Sequence, residues 1–312
     1  SLTSEKNRSP ALHNLLGVCR VSQKGRSDRD VKYAFNDFET AFEKDDFGQI
    51  SLESLCNYIK LCAEMGRRES DLVNNMTIAE KMYLKAEKRF SKNERYIGHG
   101  LDIYKYLLKH EERIKKADEM INTKKLNKLF GTIYINSHMY IDKWGQKDFG
   151  EFQKKFSELF KVYNAKKLSK IDLNKKKIKV AFLSPDYHKN HSITYFIKNL
   201  IKDLKPTKFE THGLSLLKSD EGDETTEKFI VLFDNWIDLG EKSDQEIIDI
   251  IQNLEIDILI DLNGMWHNNR LNIFNTRICP LQISWLGYNN SSGLKEVDFI
   301  LADVNTVKEE EK

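Results

Sequence analysis

Two histidines and an aspartate lie close together in segment 184–192, directly after an apolar run that predicts a buried strand. The three residues are Asp186, His188 and His191. A helical pattern starts at Ser192, so His191 stands at the predicted N-terminus of a helix. The positive end of a helix lowers the basicity of an imidazole, which keeps the ring neutral and able to accept a proton. His191 is therefore a candidate general base, although an ordinary helix-start residue would fit the same position.

A metal site is the other chemistry that two neighbouring histidines suggest. No carboxylate or cysteine completes a ligand set at a recognisable spacing around His188 and His191, so the sequence argues against a metal. The segment also lacks the GxGxxG pattern, so the usual dinucleotide-binding fingerprint is absent.

Polar and small residues follow two later predicted strands as well. They are Asp261, Asn263 and Gly264 at the end of one strand, and Leu286, Gly287 and Tyr288 at the end of the next. A polar side chain near the end of a buried strand is costly unless it is paired, and glycine permits a close approach of the backbone. These loops suit a hydroxylated ligand, and ordinary turn chemistry is the alternative for each of them.

A parallel sheet would bring these three loops together. From residue 178 onward, short β-branched runs alternate with helical patterns, which predicts right-handed βαβ units and a Rossmann-like α/β lobe. The predicted strands are 178–184, 209–216, 236–239, 256–262, 281–286 and 299–301, and the predicted helices are 192–204 and a helix capped by Ser243 that ends near Asn253. Ligands bind outside the carboxyl ends of such strands, so we expect the loops to share one edge.

The first half of the chain has a different pattern, with apolar residues recurring every three or four positions. This spacing predicts helices throughout. Leu16-Gly17 followed by Ala34, Phe38 and Ala41 resembles a degenerate tetratricopeptide repeat, in which a small residue lies where two helices cross. An ordinary helical bundle is the alternative.

The change of pattern sets the predicted domain limits. We expect a helical, repeat-like region over 1–166, a lysine-rich linker over 167–177 and an α/β lobe over 178–312. The aromatic residues between Trp144 and Phe160 fall at helical spacing, which is more typical of a core than of a cofactor site.

Composition narrows the possible classes of function. The chain has 312 residues and a net charge of +2, which argues against a dedicated nucleic-acid binder. No run of 18 apolar residues predicts a membrane span, and the N-terminus lacks the apolar segment of a signal peptide. The four cysteines form no CxxC pair, so we expect reduced thiols and a cytoplasmic location. Because the chain starts with Ser1, we expect a processed protein or a part of a longer one.

At the three loops the sequence resembles the catalytic region of the O-GlcNAc transferase and SPINDLY-like family of protein glycosyltransferases. The matching segments are Val180–Asp186 with Asn190–Ser192, Ile256–Gly264, and Cys279–Tyr288 with Ser291–Gly293, closing at Asp298 and Asp303. Their order and spacing fit together over roughly residues 175–307. A helical region in front of the catalytic half is also what this family has.

The resemblance implies a GT-B architecture, in which two Rossmann-like lobes enclose the active site. It implies inverting, metal-independent transfer of a sugar, usually from UDP-GlcNAc, to Ser or Thr hydroxyls of proteins, with no cofactor. A plant branch uses a fucosyl donor. The partners implied are a nucleotide sugar and protein acceptors that lie along the helical region, with no nucleic acid and no membrane.

The resemblance also assigns roles to particular residues. His191 matches the family's histidine that is discussed as a base or acceptor-site residue. Asp186 and Asp261 lie in the matching segments, and Asn263-Gly264 and Leu286-Gly287-Tyr288 match segments that line the sugar and acceptor site.

The sequence departs from the family pattern in four places. His188-Lys189 is an insertion before His191, Met265-Trp266 stands where bacterial relatives often carry His-Thr, and Asn289-Asn290 replaces Pro-Gly. The chain also ends at Lys312, before the second lobe that binds the nucleotide in this family. We therefore expect no turnover from this chain alone. The alternative function is a non-catalytic helical scaffold with a degenerate transferase lobe.

Overall fold

The computed structural model describes residues 8–45, 48–124, 128–168, 171–172, 174–189, 191–266, 268–288, 290–305 and 307. Eight helices precede the first strand in this part of the chain: α1 (Pro10–Ser22), α2 (Asp28–Lys44), α3 (Gln49–Arg68), α4 (Leu72–Phe90), α5 (Glu94–Tyr106), α6 (His110–Lys124), α7 (Lys128–His138) and α8 (Gln146–Ser157). The remaining elements are β1 (Ile178–Ser184), α9 (Ser192–Leu204), β2 (Phe209–Ser215), α10 (Glu224–Leu232), β3 (Asn235–Asp238), α11 (Asp244–Asn253), β4 (Ile258–Asp261), α12 (Leu271–Phe274), β5 (Leu281–Trp285) and β6 (Phe299–Leu301). The predicted order, helices followed by an α/β sheet, is confirmed.

The first two helices form the hairpin that the sequence pattern predicts. Ser27 caps α2 in a capping box with Asp30, which satisfies backbone N–H groups at the helix start. Gly17 of α1 faces the buried ring of Phe38, because a Cβ on Gly17 would lie only 2.5 Å from that ring. The small residue therefore lies where the helices cross, as the repeat-like pattern indicates.

Leu12 and Leu15 have the apolar spacing that predicts a helix, but they do not form the buried face of α1. Leu12 and Leu15 are exposed, Leu15 by 57%, whereas His13 and Gly17 are buried. The His13 Nδ1 lies 3.2 Å from a carboxylate oxygen of Asp37 on α2, and both side chains are almost fully buried. His13, rather than Leu12 or Leu15, is therefore the side chain of α1 that pairs with the second helix.

The α/β lobe is built on a six-stranded parallel sheet with the order β3-β2-β1-β4-β5-β6. β1 lies at the centre and is buried along almost its whole length, which explains its nearly continuous apolar sequence. The core around it consists of Ile178, Val180, Phe182, Tyr187, Ile193, Ile197, Ile201, Leu217, Phe229, Phe233, Ile260 and Leu262. The parallel sheet predicted for this half is confirmed.

Most predicted elements of this lobe agree with the structure within three residues. α11 begins after Ser243, which forms the predicted capping box: the Ser243 N–H donates to Glu246 over 2.8 Å. α10 and α12 were not predicted from the sequence, whereas α5 and α6 lie in the half that was predicted to be helical throughout. α12 has only four residues, too few for a periodic pattern.

The chain separates into two compact units. One comprises the described residues up to 124 with 136–143, and the other comprises 128–135 with the described residues from Trp144 onward. In the second unit, the Tyr163 hydroxyl donates to Asp244 over 2.9 Å, and the Lys166 N–H donates to Gln252 over 2.9 Å. The domain limits predicted from the sequence were drawn from secondary structure alone, and they remain a prediction: 1–166, 167–177 and 178–312.

The aromatic residues before the sheet pack on one another, as their spacing predicts. The rings of Phe152 and Phe156 are 6.0 Å apart, and those of Phe156 and Phe160 are 5.3 Å apart. Phe156 is fully buried, so this group has the core role that was predicted.

No helix in the described ranges is both long enough and apolar enough to cross a membrane. All four cysteines are free thiols, and Cys56, Cys62 and Cys279 are buried.

Alanine substitutions at two helical glycines should change stability in opposite directions, because only Gly17 lies at the crossing of α1 and α2. Gly17→Ala should lower the free energy of unfolding by about 1–3 kcal/mol, because the methyl group would press on the Phe38 ring. Gly98→Ala on α5 is the matched control, since nothing lies within 4 Å of its added Cβ. Alanine favours a helix over glycine, so Gly98→Ala should raise the unfolding free energy by up to about 1 kcal/mol. Urea denaturation measures both, and equal effects would contradict this packing.

Candidate active site at the carboxyl edge of the sheet

Parallel pairing brings the three predicted loops to one edge of the sheet. β1 lies next to β4, and β4 lies next to β5, with Leu183 opposite Asp261 and Asp261 opposite Ser284. The carboxyl ends of the three strands are therefore level. The loops that carry His191, Asn263 and Gly287 leave the sheet side by side.

His191 stands at the N-cap of α9, where its backbone is extended. Its carbonyl oxygen accepts hydrogen bonds from the N–H and the hydroxyl of Thr194, at 3.2 and 2.7 Å. These bonds fix the start of the helix and leave the imidazole 36% exposed. The ring thus stands at a helix N-terminus, as the sequence predicts, and it is partly exposed, although its Nδ1 is buried.

The carboxylate of Asp186 faces both histidines of the loop. The His191 Nε2 lies 3.7 Å from one oxygen of Asp186, and the His188 Nε2 lies 3.9 Å from the other. The two rings are 5.7 Å apart, measured between centroids. His188 belongs to the apparent insertion, so the insertion adds a second imidazole to the same carboxylate.

The loop that carries the histidines is anchored by the start of α10. Tyr187 is fully buried and its hydroxyl donates to the Phe182 carbonyl over 2.8 Å. The Tyr187 carbonyl accepts from the Thr226 hydroxyl over 2.7 Å, and the Lys189 N–H donates to Asp223 over 2.6 Å. This last bond is the main reason why the pKa of Asp223 lies below its ordinary value.

The anchoring residues were missed at the sequence level. Asp223 is followed by Thr226 three residues later, which is the spacing of a helix cap. That spacing could have revealed α10, but its contact with the histidine loop depends on the fold.

Asp261 turns back on its own loop instead of opening toward a ligand. Its side chain is buried, and its oxygens accept from the N–H groups of Asn263 and Gly264, each over 3.0 Å. Burial raises the pKa of Asp261 to about 6, against the lowering effect of the two hydrogen bonds. The structure thus places Asp261 beneath the predicted site, where it shapes the loop that carries the buried side chain of Asn263.

The loops after β4 and β5 touch at two glycines. Gly264 has φ +62°, and a Cβ on it would overlap the Cβ of Tyr288. A Cβ on Gly287 would overlap the carbonyl oxygen of Leu262. Neither position has room for a side chain, so the two predicted loop segments form one packed surface.

Leu286 and Tyr288 occupy special environments beside Gly287. Leu286 adopts φ +70°, which is strained for a leucine, and it spans a tight turn in which the Gly287 N–H donates to the Trp285 carbonyl over 2.8 Å. Tyr288 is buried, which raises the pKa of its phenol to about 12. Because the Tyr288 side chain is buried, this segment can contact a ligand with its backbone rather than with the Tyr288 hydroxyl.

The departure at Met265-Trp266 is accommodated within this surface. Met265 is fully buried, and the indole N–H of Trp266 donates to the Gly287 carbonyl. The Trp266 ring packs edge-to-face on Tyr288 at 6.4 Å. Asn190 and Asn289 of the predicted motifs lie outside the described residues.

A polar network beside this edge was not predicted. The carboxylate of Asp244 accepts from Tyr163, Arg270 and Asn272, at 2.9, 2.8 and 2.9 Å. Burial of Asp244 is outweighed by these bonds, which hold its pKa below the ordinary value. The network joins the loop after β4 to α11 and to the segment before the sheet.

The contact between the two glycine loops predicts a large effect of Gly287→Ala. The added methyl group would meet a backbone carbonyl that cannot rotate away, so the free energy of unfolding should fall by about 1–3 kcal/mol. Gly150→Ala on α8 is the control, because its Cβ would meet nothing within 4 Å. Thermal and urea denaturation of both variants measure the effect, and no loss for Gly287→Ala would contradict the contact.

The raised pKa of Asp261 predicts that the stability of the protein depends on pH. Its pKa is raised in the folded state, so the folded protein binds this proton more tightly than the unfolded chain. The contribution to stability is fully present below about pH 4 and is lost as the pH rises through about 6. Relative to Asp261→Asn, the wild type should lose about 2 kcal/mol of unfolding free energy between these two pH values. Parallel curves for the two proteins would contradict the burial of this charge.

Comparison with known proteins identifies related sequences and structures. The model of glycosyl transferase family 41 matches residues 154–311, just over half of the chain. A probable UDP-N-acetylglucosamine–peptide N-acetylglucosaminyltransferase SPINDLY of Solanum lycopersicum is 26% identical over 57% of this chain and 19% of its own length. The corresponding Arabidopsis thaliana protein is 30% identical over 40% of this chain and 14% of its own length.

A solved structure has the same fold. A mutant O-GlcNAc transferase of Thermobaculum terrenum superposes with a TM-score of 0.70 at 17% sequence identity, covering 97% of this chain and 55% of that one. The chain therefore spans less than a fifth of these SPINDLY proteins and about half of the Thermobaculum terrenum chain. The family match begins in α8 and runs through all three loops of the carboxyl edge, so this chain belongs to glycosyl transferase family 41.

Proposed function

We propose that this chain contributes the acceptor-side lobe of a glycosyltransferase that transfers GlcNAc from UDP-GlcNAc to Ser and Thr hydroxyls of proteins. The observation that carries the proposal is the placement of His191 at the N-terminus of α9, with Asp186 3.7 Å away. The histidine opens at the same edge as the packed loops after β4 and β5. Family membership supports the reaction class, and the names of the relatives motivate the donor.

The proposed chemistry uses this edge to activate a hydroxyl. The acceptor oxygen attacks the anomeric carbon of the sugar, the bond from that carbon to the diphosphate oxygen breaks, and the hydroxyl proton passes to His191. A neutral imidazole can accept this proton. The carboxylate of Asp186 then stabilises the imidazolium that forms, because opposite charges attract strongly at this distance.

The loops after β4 and β5 supply the floor of the proposed site. Close backbone approach leaves no room for side chains at Gly264 and Gly287, so peptide groups form part of this surface, with the Trp266 indole on the Gly287 carbonyl. Such groups can donate and accept hydrogen bonds with sugar hydroxyls. We assign Asn263, Leu286 and Tyr288 to this floor, with Asp261 supporting it from below.

The remaining parts of the proposal concern the longer protein. The reaction is inverting, needs no metal and uses no cofactor, as the family resemblance implies. The relatives are much longer than this chain, so we assign the nucleotide to a further lobe. Protein acceptors would be held by the helical region, and the free cysteines suit a cytoplasmic location.

Activity of the longer protein tests the proposed role of His191. His191→Ala should lower kcat by about 10²–10⁴-fold, because general-base help is worth that much. His188→Ala is the matched control, since it removes an imidazole from the same carboxylate at a position that matches no family residue, and its effect should be smaller. Transfer to protein acceptors is measured with UDP-GlcNAc and with a fucosyl donor, at matched folding by circular dichroism.

Three outcomes would contradict parts of the proposal. Wild-type kcat for His191→Ala would remove its catalytic role, and equal losses in both variants would mean that the wrong histidine has been assigned. Absence of transfer and of donor hydrolysis by the wild type with every donor would favour the non-catalytic scaffold.

The contact of Trp266 with the Gly287 carbonyl is the observation that favours the scaffold as a second candidate function. The indole occupies a backbone acceptor at the proposed sugar floor.

A further inference from the structure

A groove of about 580 Å³ runs between α9 and α10. From α9 it is lined by Tyr195, Lys198, Asn199 and Lys202, together with Thr194, and from α10 by Thr225, Lys228, Phe229, Val231 and Leu232, with Lys189 at one end. None of these residues belongs to the proposed sugar floor. The groove is a second feature of the lobe that the proposed reaction does not use.

The groove follows from the two faces of α9. Ile193, Ile197 and Ile201 recur every four residues and pack on the sheet. Tyr195, Lys198, Asn199 and Lys202 have the spacing of the opposite side, and Tyr195 is 71% exposed. A helix whose outer side needed only to be solvated would not require an exposed aromatic ring beside its lysines.

The floor of the groove is apolar and rigid. Phe229 is buried in the core of the lobe, and Leu232 packs against that core. Val231 stands beside them with 76% of its surface exposed. Val231 and the partly buried Leu232 therefore offer the apolar surface of this floor, whereas Phe229 is buried and contributes almost none.

All charged residues that line the groove are lysines. Lys189, Lys198, Lys202 and Lys228 surround it, and no carboxylate is among its described lining residues. Lys228 pairs with Glu224 over 2.8 Å, whereas Lys198 and Lys202 pair with no carboxylate in the described part of the chain.

Two other clefts of this lobe show the contrast. One, of about 400 Å³, includes Asp223, Glu227, Asp238 and Glu241 in its lining, and the other, of about 420 Å³, includes Glu221 and Asp244. Their mixed charges do not favour one sign of ligand. The groove between α9 and α10 is therefore selective for negative charge.

We propose that this groove binds an acidic, amphipathic helical segment of a partner protein. Apolar side chains on one face of the segment would cover Val231 and Leu232, and flanking Asp or Glu residues would meet Lys198 and Lys202. This is the helix-in-groove mode of recognition. A phosphate backbone would gain nothing from Val231 and Leu232, and a concave groove does not insert into a bilayer, so a protein segment fits better than RNA or a lipid surface.

Fluorescence anisotropy of the 312-residue chain tests this proposal. The probe is a labelled synthetic helix of about 15 residues, with Leu and Phe on one face and Glu on both sides of that face. A copy with every Glu replaced by Lys is the control peptide. The acidic peptide should bind more weakly as NaCl is raised, and the basic copy should not bind.

Paired variants localise the binding. Lys198→Glu with Lys202→Glu should weaken binding about tenfold or more, as expected from the loss of two exposed ion pairs. Lys154→Glu with Lys155→Glu on α8 makes the same change of charge at exposed positions outside the groove and should leave binding unchanged. Val231→Asp should also weaken binding, because it places a negative charge on the apolar floor.

Several results would overturn the proposal. They are a lack of binding by the acidic peptide, equal binding by the two lysine-pair variants, and binding of oligouridine or phosphatidylserine vesicles through Lys198 and Lys202 without binding of the peptide. These measurements need no sugar donor. A failure of this proposal is therefore distinguishable from a failure of the proposed transferase function.

Discussion

The close approach of the loops after β4 and β5 is the constraint on which the candidate active site depends. The Leu262 carbonyl and the Tyr288 side chain occupy the space that side chains at residues 287 and 264 would need. Asp261 reinforces the first of these loops by accepting two of its backbone N–H groups. A surface built from backbone in this way keeps its shape without help from a bound ligand, which suits the sugar-positioning role that we propose for it.

The histidine loop depends on a different kind of support. It leaves the central strand β1 and is held by the buried Tyr187 ring and by Asp223 and Thr226 at the start of α10. The imidazole of His191 is therefore fixed through its backbone and its helix, while its ring stays accessible. In the proposed reaction this arrangement places a proton acceptor at a constant position without closing the site to a protein acceptor.

A single helix, α9, links the two proposals. Its N-terminus carries His191, its inner face packs on the sheet, and its outer face forms one side of the lysine-lined groove. One of the residues that line the groove, Lys189, lies between the two histidines in the sequence. The proposed docking site and the proposed catalytic residue thus belong to one rigid element, although each can be tested without the other.

The sequence by itself determined the features that depend on neighbouring residues. The apolar run 178–184, the isoleucines of α9 and the capping box of Ser243 and Glu246 predicted β1, α9 and α11, because strand burial, helix periodicity and helix capping act over a few residues. The position of the three loops at one edge of the sheet could also be predicted, because parallel strands end at the same edge. The motifs of these loops were sufficient to recognise the family.

Only the tertiary structure decided what the side chains in those loops do. Asp261 was predicted to line the site, but its two backbone bonds turn it beneath the loop. His188 was treated as an insertion, yet it faces the same carboxylate as His191. Leu15 satisfied the helical pattern but is exposed, because the polar pair of His13 and Asp37 lies at the helix contact. The physical reason is common to all three: local pattern sets the element, whereas burial and pairing with residues far away in the sequence set the direction of each side chain.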